Sequence, residues 1–467
     1  MKVEQLFTGC LAEMAYFIAD KGEAAIIDPL RETKPYLDLL KKHKVKLKYI
    51  FLTHFHADFV SGQVDLANAT GAQIVFGPSA KAEYKIKNAK NNEKFMVGNT
   101  TLKVLHTPGH TMESISIVLI DKKGKEKYLF SGDALFIGDV GRPDLAVKSD
   151  LTQADLAGHL YNSLRKKIMT LPDDIIVYPN HGAGSACGKN MSKETWDTLG
   201  HQKEVNYALR ADMTKAEFIK EVTTGLKMPP QYFPKNVGMN KSVNVSISDV
   251  LKKGTHALSA REFKVLSEEK DILVIDTRAK RSFTKEFIPG SWYFGIDGNF
   301  APWIGTLIKD INQKIIFIAP RGREEEVVTR LARVGYDNSV GFLKGGLRSW
   351  KAAGFKTAVI GTLSAVEYAE KKGKKNLVDV RKESEYLSEH IIGAENAPLD
   401  NLTDNIAKFS PTKSYIVHCA SGYRSLIAAS IMYSKGIKKV TDVRGGFKAL
   451  KRTDVKVSDY VCPTTLL

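Results

Sequence analysis

Thr53-His54-Phe55-His56-Ala57-Asp58-Phe59-Val60-Ser61-Gly62 is the stretch on which the fold turns. It follows Lys48-Tyr49-Ile50-Phe51-Leu52, a short apolar run rich in aromatic and branched residues that reads as a buried strand. His54, His56 and Asp58 therefore sit on the turn leaving a strand end. Their alternate spacing lets a turn aim several side chains at one ion, and imidazole with carboxylate suits zinc, iron or manganese. The plain alternative is a polar turn with two surface histidines. Partners elsewhere in the chain separate the two readings.

Outward from this turn, residues 1–120 alternate short strands with helices. Ala24-Ala25-Ile26-Ile27-Asp28-Pro29 is a strand ending in a turn, and Pro35 to Lys44 is an amphipathic helix. Gln63 to Ala69 forms a helix ending near Gly71, followed by the strand Gln73 to Phe76. Thr101 to His106 leads into Thr107-Pro108-Gly109-His110, where Pro and Gly turn the chain and present His110. Tyr128-Leu129-Phe130-Ser131-Gly132-Asp133 delivers a carboxylate at the end of an apolar run, and Ile175 to His181 repeats the arrangement. Four strand ends thus each carry a His or Asp, so independent contexts agree on one metal site.

That constellation resembles the metallo-β-lactamase superfamily, which implies an α/β fold: an αββα sandwich with metals at one edge of the packed sheets. Ser131-Gly132-Asp133-Ala134-Leu135-Phe136, Gly141-Arg142-Pro143-Asp144 and Tyr178-Pro179-Asn180-His181 further resemble persulfide dioxygenases of the ethylmalonic-encephalopathy type. The resemblance continues through Phe218-Ile219-Lys220, Met228-Pro229-Pro230 and Pro234-Lys235-Asn236, and gives a first domain over residues 1–244. Superfamily members usually read His-x-His-x-Asp-His, but here Phe59 takes the last place. In the two-metal hydrolases that histidine ligates the second ion with the residues matching Asp58 and His181. Phe cannot ligate, and two-metal hydrolysis needs both ions. The resemblance to the dioxygenases implies one Fe(II), held by His54, His110 and Asp133, with positions open for substrate and O2. His56, Asp58 and His181 then orient ligands or water. Zinc is the alternative, since the same three groups hold it. The family match also places Arg142 and Asn236 on the substrate, Arg142 in a loop at the site mouth. A surface salt bridge is the plain reading of Arg142.

From about residue 245 the pattern changes. Leu258 to Phe263 reads as a capped helix, Ile272 to Asp276 as a buried strand ending in Asp276-Thr277-Arg278, and Lys314 to Ile318 as another strand. The layout returns with Leu363 to Tyr368, Leu377-Val378-Asp379-Val380-Arg381 and Tyr415-Ile416-Val417-His418-Cys419. Gly345-Gly346 and Gly445-Gly446 close the two copies. This is a tandem repeat of an α/β unit with a parallel sheet. The units, over residues 250–356 and 362–460, resemble rhodanese domains, with linkers near Asn240 to Ser248 and Ala352 to Gly361.

Cys419-Ala420-Ser421-Gly422-Tyr423-Arg424 bridges a strand and a helix. Short loops of this kind aim backbone N–H groups inward, and the helix N-terminus adds positive potential, which favours a thiolate. The loop matches the rhodanese active loop. Cys419 then carries a persulfide, Ala420, Ser421, Gly422 and Tyr423 cradle it, and Arg424 braces the loop. In the first copy Ala319 stands at the nucleophile position and Glu324 at the arginine position, so that copy is expected to be inactive. Cys187, six residues after His181, either packs as a small residue or lies near the metal and relays sulfur. Cys10 and Cys462 read as packing or terminal positions.

The formal net charge of +17 comes from lysines scattered over presumed helix faces and loops, without any nucleic-acid module, so solvated surfaces explain it. The apolar runs are too short to span a bilayer, and nothing resembles a signal peptide. Four widely spaced cysteines fit a reducing cytoplasm. The expected partners are a small thiol persulfide, thiosulfate or sulfite, and O2, with no nucleic acid and no membrane; a homo-oligomer is compatible with the sequence. The two halves meet in sulfur chemistry: oxidation of a persulfide to sulfite, joined to sulfur transfer through Cys419. A zinc thioester hydrolase of the glyoxalase II kind, with accessory rhodanese units, is the competing reading. A sulfurtransferase with a non-catalytic first half stands further back, and a nuclease further still.

Overall fold

The computed structural model describes residues 1–147, 150–226, 228–370 and 376–462. Residues Met1–Ile247 form one compact unit, in which Ala332–Gly335 are counted; Ser248–Leu331 and Tyr336–Leu467 form the other. The two repeats expected as separate domains therefore cluster together.

The first unit is built on two six-stranded sheets. One runs in sequence order: β1 (Lys2–Thr8), β2 (Glu13–Asp20), β3 (Glu23–Ile27), β4 (Lys46–Phe51), β5 (Gln73–Phe76) and β6 (Lys87–Asn88). The other contains β7 (Lys94–Val97), β8 (Thr100–His106), β9 (Ile115–Ile120), β10 (Glu126–Gly132), β11 (Ile176–Pro179) and β12 (Asp197–Thr198). Alternation along the strands sorts their side chains. Tyr16, Ile18, Phe51 and Val75 meet Val104, Ile117 and Phe130 between the sheets. Phe17, Ile26 and Ile50 face the other way, onto Tyr36, Leu40 and Leu66 of α1 (Lys34–His43) and α2 (Gln63–Thr70). Val118, Leu129 and Val177 pack on α3 (Gln153–Ser163) and, through Phe218 and Val222, α5 (Lys215–Thr223), with α4 (Leu199–Val205) between them in sequence. The layers are helix, sheet, sheet, helix, as the sequence implied. β10 runs directly into Asp133, and the ends of β4, β8 and β11 lead through short turns to His54, His110 and His181.

The second unit holds two five-stranded sheets, ordered β13-β17-β16-β14-β15 and β18-β22-β21-β19-β20. Their strands are β13 (Ala257–Leu258), β14 (Ile272–Asp276), β15 (Trp292–Tyr293), β16 (Lys314–Ile318) and β17 (Ser339–Leu343), then β18 (Gly361–Leu363), β19 (Leu377–Asp379), β20 (Glu395–Asn396), β21 (Tyr415–His418) and β22 (Val440–Val443). The two permutations are identical and all the pairings parallel, which confirms the repeat. Ser259 caps the first helix of the first copy with a reciprocal bond to Glu262, as the Ser-x-x-Glu spacing predicts. No helix among the described residues is long and apolar enough to cross a membrane.

One boundary differs from expectation. Asn240, expected at the start of a linker, lies in α6 (Phe233–Lys241) and is buried. Its carboxamide is fully used: Nδ2 donates to the carbonyls of His56 and Phe59, at 2.8 Å each, and Oδ1 accepts from Ser61 N and Oγ. A polar residue that reads as linker in one dimension is thus the clasp of the metal-motif turn.

Candidate metal centre and persulfide loop

Three nitrogen and oxygen atoms converge at the sheet edge. His54 Nε2 lies 3.9 Å and His110 Nε2 3.4 Å from Asp133 Oδ2. The potential ligand atoms of these residues all lie within 4.8 Å of one another, and all three residues are buried. Asp133 Oδ2 has no hydrogen-bond partner despite being buried. Orphaned buried oxygens are rare and expensive, so the atom fits a cation.

The surrounding hydrogen bonds fix each ring. Thr53 Oγ1 donates to Asp28 Oδ2 at 2.9 Å, so toward His54 Nδ1, 3.0 Å away, it accepts. That puts the proton of His54 on Nδ1 and leaves the Nε2 lone pair facing the site. His110 Nδ1 likewise meets the Arg142 carbonyl at 2.9 Å, leaving its Nε2 free. Burial, with His56 adding, pushes His54 well below the usual histidine range, so it is a neutral ligand-ready imidazole. Burial opposes charge on Asp133, yet His181, His54 and His110 together hold its carboxyl well below the usual range.

The other expected residues take supporting places. His56 Nε2 is 2.9 Å from Asp28 Oδ1, and its ring stacks on Phe59, 4.2 Å between centroids. His181 spans two carboxylates, Nδ1 to Asp133 at 3.0 Å and Nε2 to Asp58 at 2.9 Å. Burial disfavours its charge, but Asp133 and Asp58 outweigh this and raise it well above the usual histidine range. Phe59 therefore fills the place of an absent histidine by packing on His56. Cys187 lies beside Asp58 and His181, its sulfur within 4.8 Å of both ligand atoms. Burial pushes its thiol up, reinforced by Asp58 and Asp133.

Arg142 is not an open group at the mouth. It is buried, its guanidinium grips Asp144 through two 2.6 Å bonds, and Nη1 reaches the Ala186 carbonyl. The sequence could not show that Asp144, two residues on, takes both arms of the fork. What Arg142 presents to the site is its carbonyl, held close because Gly141 has no Cβ; one there would lie 2.0 Å from the Asp133 carbonyl oxygen. Asn236, on α6, is fully buried, and both atoms of its carboxamide lack a partner. Buried amides without a partner are rare.

Sequence reasoning passed over Asp28. It accepts from Thr53 N at 2.7 Å, Thr53 Oγ1, Asn180 Nδ2 at 2.7 Å, and lies against His56 Nε2. Its φ of +50° is strained for a non-glycine residue. The available signal was its place at the end of an apolar run, the same context as Asp133.

In the second unit, Cys419 follows β21 and is buried. Gly422 N donates to its Sγ at 3.1 Å, and Gly422 adopts a φ of +87° to do so. Ala420, Ser421 and Tyr423 complete the turn into the helix Arg424–Ser434. Arg424 makes two bonds to Glu385, 2.6 and 2.8 Å. In the first copy Ala319 occupies the matching place after β16, so no thiol is present there.

Comparison with known proteins matches residues 8–181 to the metallo-beta-lactamase superfamily and residues 259–353 and 364–453 to the rhodanese-like domain. A metallo-beta-lactamase structure from Staphylococcus aureus aligns with a TM-score of 0.64 at 30% identity, over 73% of this chain and 98% of that one. The chain belongs to the metallo-beta-lactamase superfamily. Within the superfamily, the human mitochondrial persulfide dioxygenase ETHE1 is 32% identical over 183 residues, 38% of this chain and 67% of the relative. A hydroxyacylglutathione hydrolase from Tolumonas auensis is 28% identical over 261 residues, 54% of this chain and 86% of the relative. The chain is thus a superfamily enzyme with persulfide dioxygenase homology, fused to two rhodanese-like domains.

Proposed function

We propose that this protein oxidises the terminal sulfur of a small thiol persulfide with O2 and moves sulfane sulfur through Cys419. The carrying observation is the three-atom face of His54, His110 and Asp133 with its orphaned Oδ2. His181 has both nitrogens engaged by carboxylates, and Phe59 offers no donor, so the face suits one ion with open positions. His54, His110 and Asp133 would hold ferrous iron, which supplies O2 activation. Thr53 and the Arg142 carbonyl keep the ligand rings in the right tautomer. His181, bonded to both Asp133 and Asp58, orients those carboxylates beside the site. Asn236 offers its free amide to the substrate. The overall reaction balances as RSSH + O2 + H2O giving RSH and sulfurous acid, the sulfane sulfur being oxidised and O2 reduced.

For transfer, a Cys419 thiolate attacks the outer sulfur of thiosulfate; the new S–S bond forms as sulfite leaves with the electron pair. Gly422 N–H steadies the sulfur, and Arg424, held by Glu385, braces the loop. The reverse, persulfide to sulfite, makes thiosulfate. A reducing cytoplasm suits both sulfur groups.

Metal analysis with oxygen uptake on glutathione persulfide tests this reading. One iron per chain and one O2 consumed per sulfite formed are expected. The hydrolase reading draws on the relatives of that name and on the Asp58, His181 and Cys187 cluster. Two zincs per chain, with thioester turnover and no oxygen uptake, would establish it and sink the dioxygenase.

A further inference from the structure

We propose that Tyr423 is a positioning residue for the Cys419 sulfur and that the thiol-free repeat supplies the slot that holds it. The inference rests on the transfer role given to Cys419 above. Tyr423 stands between the two residues that define the loop: Gly422, whose N–H meets Cys419 Sγ, and Arg424, whose guanidinium meets Glu385. Its own side chain leaves the second repeat. The hydroxyl donates to the Gly295 carbonyl at 2.9 Å, and the ring sits edge-on to Tyr293, 6.1 Å between centroids.

The slot is shaped for that ring. A Cβ at Gly298 would lie 2.2 Å from Tyr423 Cε2, and one at Gly295 would lie 2.2 Å from Tyr293 Oη. Neither glycine has a positive φ, so backbone conformation does not require either of them. They are there for space. The same segment anchors the helix that starts at Arg424: Tyr293 N donates to Ser430 Oγ at 2.8 Å, and Trp292 Nε1 to Ser434 Oγ at 2.9 Å. The loop is thus fixed on one side by Glu385 of its own repeat and on the other by Trp292 to Gly298 of the other. This repeat, with Ala319 in place of a thiol, thus still supports the loop of the other. Rigid support of a sulfur cradle matters because N–H groups misplaced by a fraction of an ångström stabilise the anion less.

The charged or titratable groups around the loop are Arg424, Glu385, His418 and Asp400 from its own repeat, and Arg330 and Asp297 facing Tyr423 from the other. Gly298→Ala alters none of them, and Tyr423→Phe removes only a phenol that burial holds neutral, so a changed titration of Cys419 in either variant reports loop geometry. The test uses the full chain. Cys419 alkylation by iodoacetamide is followed against pH by peptide mass spectrometry, and thiosulfate-to-cyanide transfer is measured alongside. Gly298→Ala is expected to move the alkylation profile to higher pH and to lower kcat about tenfold, with KM for thiosulfate and oxygen uptake unchanged. Tyr423→Phe, which cannot clash, is expected to shift both readouts in the same direction by less. If Gly298→Ala does not fold, Tyr423→Phe decides alone. Profiles and kcat within twofold of the parent in the folded variants overturn the proposal. A parent that alkylates but never accepts sulfur from thiosulfate overturns the transfer reading instead; the alkylation shift still decides the role of Tyr423.

Discussion

Asp28 shows how one side chain organises the metal turn. It gathers donors from Thr53 and Asn180 and lies against His56, and through Thr53 it sets the tautomer of His54. Asp28→Asn swaps one acceptor for an N–H facing donors. Groups that hold ligands in this way typically contribute about 10- to 100-fold in metal affinity. That loss is the expected result when iron affinity of Asp28→Asn is measured by competition with a chelator. An unchanged affinity would show that Thr53 and His54 keep their places without it. At this scale the sequence was legible wherever a residue's chemistry and its strand-end context coincided, as for His54, His110 and Asp133. For Arg142 it offered a salt bridge as the plain reading, and the structure shows one to Asp144, buried rather than at the surface.

The elements of the second repeat carry a pH signature. Asp442, on β22, is almost fully buried and accepts from Ser425 Oγ at 2.5 Å, joining the strand to the helix Arg424–Ser434. Burial pushes its carboxyl up to about 6. The folded value lies above the unfolded one, so its contribution is fully present below the ordinary carboxylate range and is lost as pH rises through about 6. The loss corresponds to about 3 kcal/mol. Asp442→Asn keeps the acceptor and removes the titration. The difference in denaturation free energy between parent and variant should therefore grow in the variant's favour from about pH 4 to about pH 6 and then level off. A difference that stays flat over that window would mean the carboxyl remains ionised in the fold. Strand and helix identities were legible from periodicity and turn residues. The end of α6 was not, because Asn240 reads as linker until His56, Phe59 and Ser61 are seen around it.

For the whole molecule, the two chemistries proposed for separate units make a simple prediction. Chelation of the metal is expected to abolish oxygen uptake and to lower the melting temperature of the first unit, since a ligand bound only by the folded state stabilises it. Thiosulfate-to-cyanide transfer should persist. Cys419→Ser should do the opposite, stopping transfer while a supplied glutathione persulfide is still oxidised. Loss of both activities from either change would show that the two centres act as one.

The sandwich and the ligand set came from the family resemblance; the sequence by itself determined the strand ends that carry His54, His110 and Asp133, the repeat and the thiol loop. Each is written in local terms: an apolar run sets a strand, its end sets where a ligand goes, and a repeated pattern sets a repeated unit. Only the tertiary structure decided which atoms are spent and which are free. Hydrogen bonds that join residues far apart in the chain occupy His181, Asn240 and Tyr423, and they leave Asp133 Oδ2 and the Asn236 amide open. A side chain's availability depends on its neighbours in space: the place where the sequence pattern leads one to expect a histidine holds Phe59, spent in packing on His56.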